Sequence, residues 1–487
     1  GESETVVMSF KATDMASFDD LGKIQKSAYV LEKGEYSFYL GTCVRCAQEV
    51  AFKYVISEDT VVEQLSDWCK PFKLEKRMLA DGTFEPLPMG EETYLYGINE
   101  PTGANAPQTP VMFDKIGEDI TIDEFVAQFT DAELMDFVGG QPTTGVANTG
   151  CFGNLPRLGV PSAPTADGPA GLRLEPATGI STTAWPCATL LACTFDPELI
   201  YEVGAAGGAE IRENNIGIWL SPALNIHRDP LCGRNFEYYS EDPLVAGKSA
   251  AAVTRGVQSN KVAVSVKHFA CNNKEANRYD IDARISERAL REIYLKGFEI
   301  CVKEGKPWTV MSSYNKVNGV KVSQHKKLND MLRGELGFDG CIISDAMSMV
   351  GTAARVPVER LSVEFLRAGG DLVLFPEKED HKRILEALKS GYLERERLVD
   401  AAERVVKLKA KLGLFDGREY NVTEDDIKTV YLTVRANKAS DTDKKKYGEL
   451  LEDIGALDKF GNDEDEVDAL AREMAYTYNI FKEYSHQ

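Results

Sequence analysis

Apolar and polar residues alternate with period two in the first part of the chain, then change to a longer rhythm. Val6 to Phe10, Lys26 to Val30, Tyr36 to Leu40 and Val50 to Ile56 read as strands, because successive side chains of a strand point to opposite faces. Turns rich in Asp, Gly and Lys separate these runs, so residues 1–88 predict a small antiparallel β-sandwich. The Gly-, Pro- and Asn-rich stretch GINEPTGANAPQTP lies within 89–122, which reads as a linker. From 123 to 416 strands alternate with helices. In Ser286 to Val302 the residues Leu290, Ile293, Tyr294, Phe298, Cys301 and Val302 share one helical face after a capping Ser, and Trp308 to Met311 follows Pro307 as a strand. Such alternation fits one (β/α)8 TIM-like barrel or a large doubly wound sheet. Residues 417–487 are strongly charged with a helical pattern and predict a helical C-terminal extension, either a partner-docking tail or a solvated face.

Composition narrows the function without naming it. The 487 residues are 43% hydrophobic and 27% charged, as in ordinary soluble multidomain proteins. No run approaches the ~20 apolar residues that cross a bilayer. A formal charge of -21 argues against nucleic acid and anionic membranes, whose phosphates require clustered Lys and Arg. A neutral ligand is indifferent to it.

The ten cysteines are scattered, and only Cys43 and Cys46 stand at C-x-x-C spacing. Cys69 is the one other thiol nearby and no His accompanies them, which argues against a zinc site. Strand positions three apart face opposite ways, which argues against a shared metal or a disulfide. Cys301 and Cys341 sit in apolar surroundings and read as core residues of a reducing compartment, so a cytoplasmic location is expected. The opening GESETVVMSF carries neither an initiator Met nor a signal peptide and suggests a fragment or a processed product.

The chemistry gathers where apolar runs end. Gly337 to Met347, GFDGCIISDAM, closes a short buried run on Ser344 and Asp345. Leu158 to Ala166 runs into Asp167, with Arg173 after it, and Gly217 to Leu220 leads to Asn225, His227, Arg228, Asp229, Arg234, Glu237 and Asp242. Val262 to Val266 ends in Lys267 and His268, and Val310 to Ser313 in Tyr314 and Asn315. In an alternating β/α protein these ends share one face, where strands fix the side chains and loops admit the ligand. Carboxylates beside Lys, Arg and His suit a polyhydroxylated ligand, since each hydroxyl both donates and accepts. His227 and His268 each lack a second His at ligand spacing, so no metal is expected. No nucleotide-binding Gly-rich element appears, while Arg234 and Lys267 leave a phosphate open.

The stretches DGPAGLR (167–173), NIHRDPLCGRNFEYYSEDP (225–243), KHFACNNKEANR (267–278), SERALREIYLKGFE (286–299), VMSSYNKVNG (310–319) and GFDGCIISD (337–345) together resemble the barrel domain of glycoside hydrolase family 3, in its β-glucosidase branch. GESETVVMSF and GEYSFYLG resemble the fibronectin type III-like domain of such enzymes, here ahead of the barrel as in members with permuted domain order. The resemblance implies that Asp345 is the nucleophile and that Asp167 grips distal hydroxyls of the terminal sugar. It implies Arg234, Lys267 and His268 as donors to the same sugar, Tyr314 beside the nucleophile and Arg173 in support. Arg173, Arg228 and Asp242 equally suit a salt-bridge network that holds loops.

A retaining glycosidase also needs a second carboxyl, roughly 5 to 5.5 Å from the nucleophile, as acid and base. In the resembling β-glucosidases it is a Glu from an α/β sandwich domain, for which no segment here is long enough. The His-Asp dyad of the hexosaminidase branch is not apparent either, so the acid/base is expected on a partner chain or an upstream segment. Ala346 and Met347 follow Asp345 where most relatives have Trp, which removes a stacking wall. The expected function is an exo-acting retaining β-glucosidase without cofactors. The alternatives are a β-xylosidase or glycoconjugate glycosidase and a non-catalytic sugar-binding subunit.

Overall fold

The computed structural model describes residues 5, 7–90, 106–141, 146–278, 281–346, 361–374, 376 and 379–414. The extension expected at 417–487, most of the expected linker, and Met347 lie outside the described residues. Two compact units emerge. One is Gly1–Thr93 with Asp282–Leu295 and Val317–Gly319; the other is Tyr94–Ile281 with Lys296–Lys316 and Val320–Gln487.

Every strand pair between Ser17 and Pro86 is antiparallel, among the described residues. Ser17–Asp19, Ala28–Leu31 and Thr60–Gln64 form one sheet, with Phe18 opposite Tyr29 and Leu31 opposite Thr60. Gly34–Leu40 pairs with Gln48–Ile56 as a hairpin, and Lys76–Met78 with Phe84–Pro86 as a second. Val7 to Phe10, read above as part of a strand, belongs to none, and Val7 is 84% exposed. Alternation alone does not make a strand without an edge to pair with. Residues 282–295 join this unit through a buried ion pair. Arg291 Nε donates to Glu287 Oε1 at 3.0 Å, Glu287 Oε2 accepts the Cys69 N–H at 2.8 Å, and Arg291 Nη2 donates to the Ser66 carbonyl at 2.9 Å.

In the second unit, strands β1 (Cys151–Phe152), β2 (Ala163–Ala166), β3 (Ile218–Trp219), β4 (Ala263–Phe269), β5 (Thr309–Ser312) and β6 (Cys341–Ser344) hydrogen bond in that order. From β2 to β6 they run parallel, with Ala166 opposite Trp219, Trp219 opposite Val264, Val266 opposite Val310 and Ser312 opposite Ser344. The ring closes through two further segments. Ser344 N–H donates to the Leu372 carbonyl at 3.0 Å, Val373 N–H to the Val138 carbonyl at 2.9 Å, and Gln141 and Cys151 exchange N–H···O bonds. All of β2, β4, β5 and β6 is buried, the signature of a parallel core covered on both faces. The barrel is TIM-like but irregular at its start: β1 runs antiparallel to β2. A short 3-10 turn, Pro156–Leu158, joins them where a crossover helix would be needed for a parallel pair.

Helices α1 (Pro197–Glu213) and α2 (Pro243–Gln258) start alike, with an Asp side chain accepting backbone N–H groups and Pro in the first turn. They cross closely because Gly256 lies against the backbone of α1; a Cβ there would stand 2.2 Å from the Tyr201 carbonyl. The helix expected after Ser286 forms, with Ser286 as its cap, but contains π-helical turns at Leu290–Tyr294 and Cys301–Gly305. The wider turn shifts the phase of the apolar stripe. Ile293 is exposed and Leu295 buried in its stead, while Leu290, Phe298, Cys301 and Val302 are buried as expected. Cys341 is buried too. No helix among the described residues is long and apolar enough to cross a membrane.

Candidate active site

Strand β6 delivers Asp345. Its residues Cys341 to Ser344 are buried, and Ser344 locks the strand end by accepting the Leu374 N–H on Oγ at 2.8 Å. One step back, Asp371 accepts the Ile342 N–H at 2.7 Å while Arg333 and Arg397 donate to its carboxylate. Asp345 Oδ1 accepts the Ala346 N–H at 2.8 Å. Its Oδ2 is buried and has no hydrogen-bond partner among the described residues. Burial pushes the carboxyl up from the usual Asp range, against the opposing pull of Arg234 and Lys267.

Strand β2 delivers Asp167 into a turn that only glycine can follow. Gly168 has φ 137°, and a Cβ on it would sit 1.9 Å from the Gly171 carbonyl. The loop is pinned from beneath, since Trp219 Nε1 on β3 donates to the Gly168 carbonyl at 3.0 Å. Lys267, the buried cation near the end of β4, donates to Asp167 Oδ1 at 2.6 Å, and Arg173 stands 3.7 Å from Oδ2. Burial raises the Asp167 carboxyl most, but Lys267, the Gly168 N–H and Arg173 together pull it below its ordinary range.

The loop after β3 brings in Arg234, which is tied to Glu237 and donates from Nη2 to His268 Nε2 at 2.9 Å. A guanidinium has no acceptor, so Nε2 carries no proton and the imidazole hydrogen is on Nδ1, which faces Tyr238 Oη at 3.5 Å. Burial, Arg234 and Lys267 push the His268 pKa well down, so the ring is neutral. Asn225 brackets its backbone, donating to the His268 carbonyl and accepting its N–H, both at 2.9 Å. The Lys267–His268 peptide bond is cis. After β5, the buried Tyr314 donates to Glu275 Oε1 at 3.1 Å, and Arg278 holds Glu275 Oε2 at 3.1 Å. Burial pushes the Tyr314 phenol up to about 12, so it stays protonated.

Arg234, Lys267 and Asp167 all act electrostatically on Asp345, and Asp345 acts on Tyr314, so these strand-end groups converge on one place. The other candidates fall elsewhere. Asp242 forms no ion pair among the described residues and caps α2, accepting the Leu244 N–H at 2.7 Å. Arg228 is exposed, His227 Nε2 lies between the carbonyls of Asn235 and Tyr238, and the buried Asn315 donates to the Ala270 carbonyl at 3.2 Å. Glu275 carries no signal of its own in the sequence, though it sits in the stretch after Lys267 and His268. A Glu in a polar loop reads as solvated until a partner is seen. Trp219 was likewise hidden as an apolar core residue. No group of His, Cys, Asp and Glu among the described residues is arranged to hold a metal.

The family model described as the glycosyl hydrolase family 3 N terminal domain matches residues 154–408. Beta-glucosidase A of Butyrivibrio fibrisolvens is 49% identical over 374 residues, which cover 71% of this chain and 45% of that protein. Among solved structures, a β-glucosidase from Paenibacillus barengoltzii superposes with a TM-score of 0.73 at 35% identity, covering 82% of this chain and 46% of the other. Beta-glucosidase 3B from Thermotoga neapolitana, in complex with α-D-glucose, gives 0.57 at 42% identity, covering 62% and 44%. The chain thus spans a little under half the length of these relatives. With a closed barrel whose strand ends carry Asp167, Lys267, His268 and Asp345, and with the matching model extending over 154–408, this chain belongs to glycosyl hydrolase family 3.

Proposed function

We propose that this chain carries the sugar-binding and nucleophilic half of an exo-acting retaining β-glucosidase. The observation that carries the reading is the buried Oδ2 of Asp345, without a hydrogen-bond partner among the described residues and set among the Asp167–Lys267 pair, Arg234 and Tyr314. A buried carboxylate oxygen with no partner is costly in a structural role and apt for attack. Asp345 adds to the anomeric carbon as the bond to the leaving oxygen breaks, forming a glycosyl ester. Water then attacks the same carbon and frees Asp345. Asp167, with Lys267 fixing its orientation, receives hydroxyls of the terminal glucose, and Arg234, held by Glu237 and by the accepting Nε2 of His268, donates to its neighbours. Arg173, more than half exposed, borders the same carboxylate.

The proton for the leaving oxygen comes, on this reading, from a Glu on an α/β sandwich domain in another segment or chain. The short coverage of relatives supports that assignment. The antiparallel strands of the first unit support a fibronectin type III-like module ahead of the barrel, the permuted order. Free cysteines support a reducing, cytoplasmic setting.

The test is intact-protein mass spectrometry after incubation with a dinitrophenyl 2-deoxy-2-fluoro-β-glucoside, beside Asp345→Asn. That leaving group departs without acid, and the fluorine slows hydrolysis, so a fluoroglucosyl adduct is expected on the native chain only. The matching fluoroxyloside should react more slowly, and the reverse order would favour a xylosidase. Binding of glucose without any adduct, even when the missing segment is supplied, would convert the reading to a non-catalytic sugar-binding subunit.

A further inference from the structure

Outside the site, one pair of reactive side chains has no part in sugar chemistry. Cys43 and Cys46 lie in the turn between Gly34–Leu40 and Gln48–Ile56, where Leu40 pairs with Gln48. This segment is a turn and not a strand, which overturns the expectation that the two side chains face opposite ways. The Cys46 N–H donates to the Cys43 carbonyl at 3.1 Å, closing the turn, and the sulfurs meet at 2.6 Å. Such a turn brings its end Cα atoms within about 7 Å, the span a disulfide bridges. Both thiols are exposed. Gly41 narrows the neck further, since a Cβ there would lie 2.5 Å from the Ala47 Cα. Cys69, the next thiol in sequence, is buried and offers no third ligand.

We propose that Cys43 and Cys46 form a reversible dithiol–disulfide site that exchanges with small-molecule disulfides such as oxidised glutathione. Cys46 is the attacking sulfur. Hydrogen bonds from Cys43 and Thr42, the latter at 3.3 Å, favour its thiolate and lower its pKa. The Cys46 thiolate attacks one sulfur of the small disulfide and expels one thiolate, giving a mixed disulfide. Cys43 then loses its proton, attacks the Cys46 sulfur and expels the second thiolate. Two protein thiols are oxidised to one disulfide, and one small disulfide is reduced to two thiols. The loop closed is very short, so the bond removes little chain entropy and leaves the hairpin folded in either state. That separates a responsive pair from a structural staple.

The full chain is equilibrated in glutathione redox buffers, quenched with N-ethylmaleimide and digested with trypsin. Cleavage after Arg45 separates the two cysteines, so the disulfide appears as residues 34–45 linked to 46–53. The linked pair should be the main oxidised form and disappear on adding dithiothreitol. Cys43→Ser should instead hold glutathione on Cys46, and the exposed Cys193 should form the same mixed disulfide as an internal standard. If the native chain keeps glutathione on Cys46, or both cysteines remain alkylated while Cys193 reacts, the proposal is wrong.

Discussion

Lys267 Nζ lies 2.6 Å from Asp167 Oδ1, a buried cation whose counter-charge is partly exposed. Removing either partner leaves the other charge stranded, which costs about 3–5 kcal/mol in buried pairs. Asp167→Ala should therefore lower stability by about that amount and abolish glucose binding. The double variant Asp167→Ala/Lys267→Met should regain much of the stability and none of the binding. Urea unfolding and calorimetric glucose titration read the two effects separately. Equal loss of stability in single and double variants would show that the pair is not coupled.

Tyr314→Phe deletes the hydroxyl that donates to Glu275 and leaves a half-buried acceptor short of a bond. A loss of about 1–3 kcal/mol, or roughly 10- to 100-fold, is expected in the rate of fluoroglucosyl transfer to Asp345. Glu275→Gln, which keeps an acceptor oxygen, should retain most of the rate. Pre-steady-state release of dinitrophenol measures both.

The strand bearing Asp345 leans on Asp371, whose carboxylate takes the Ile342 N–H and two guanidinium groups. Asp371→Ala buries Arg333 without its counter-charge, leaves Arg397 with Asp400 alone, and should cost about 3–5 kcal/mol. A denaturant midpoint within error of the native one would exclude this role.

His325 sets an acid limit on stability. Its Nδ1 accepts the Leu328 N–H at 3.2 Å and caps helix α3 (Lys326–Gly334), which requires the neutral ring. Burial lowers its pKa to about 4, against about 6.5 when unfolded. Between those values the unfolded chain binds the extra proton. His325 thus stabilises fully above pH 6.5, loses that contribution as pH falls toward 4, and changes nothing further below. His325→Asn keeps an N-cap acceptor without titrating, so its melting temperature should fall less steeply over that window. Parallel slopes in thermal melts would refute the assignment.

The sequence exposes the barrel's strand ends because buried parallel strands are apolar throughout, and a charge at the end of such a run has few structural uses. Asp345, Asp167 and Lys267 are legible for that reason. Glu275 and Trp219 are not, since their roles depend on partners tens of residues away. The hairpin start of the barrel escapes for a related reason: Cys151–Phe152 is too short to show a period. Asp242 misleads in the opposite sense, as a charge within a charged stretch whose work is a local cap. Alternation at Val7 to Phe10 signals a strand that finds no neighbour. At Cys43 and Cys46, strand periodicity was extended into what is a turn.

Asp345 Oδ2 also says something about ancestry. An oxygen kept from solvent and, among the described residues, from protein donors burdens the fold, and replacing Asp345 by a neutral residue would relieve it. A lineage released from making glycosyl esters would drift toward that relief and gain thermal resilience. On the proposed mechanism, the carboxylate's presence in this chain marks selection for reactivity over robustness.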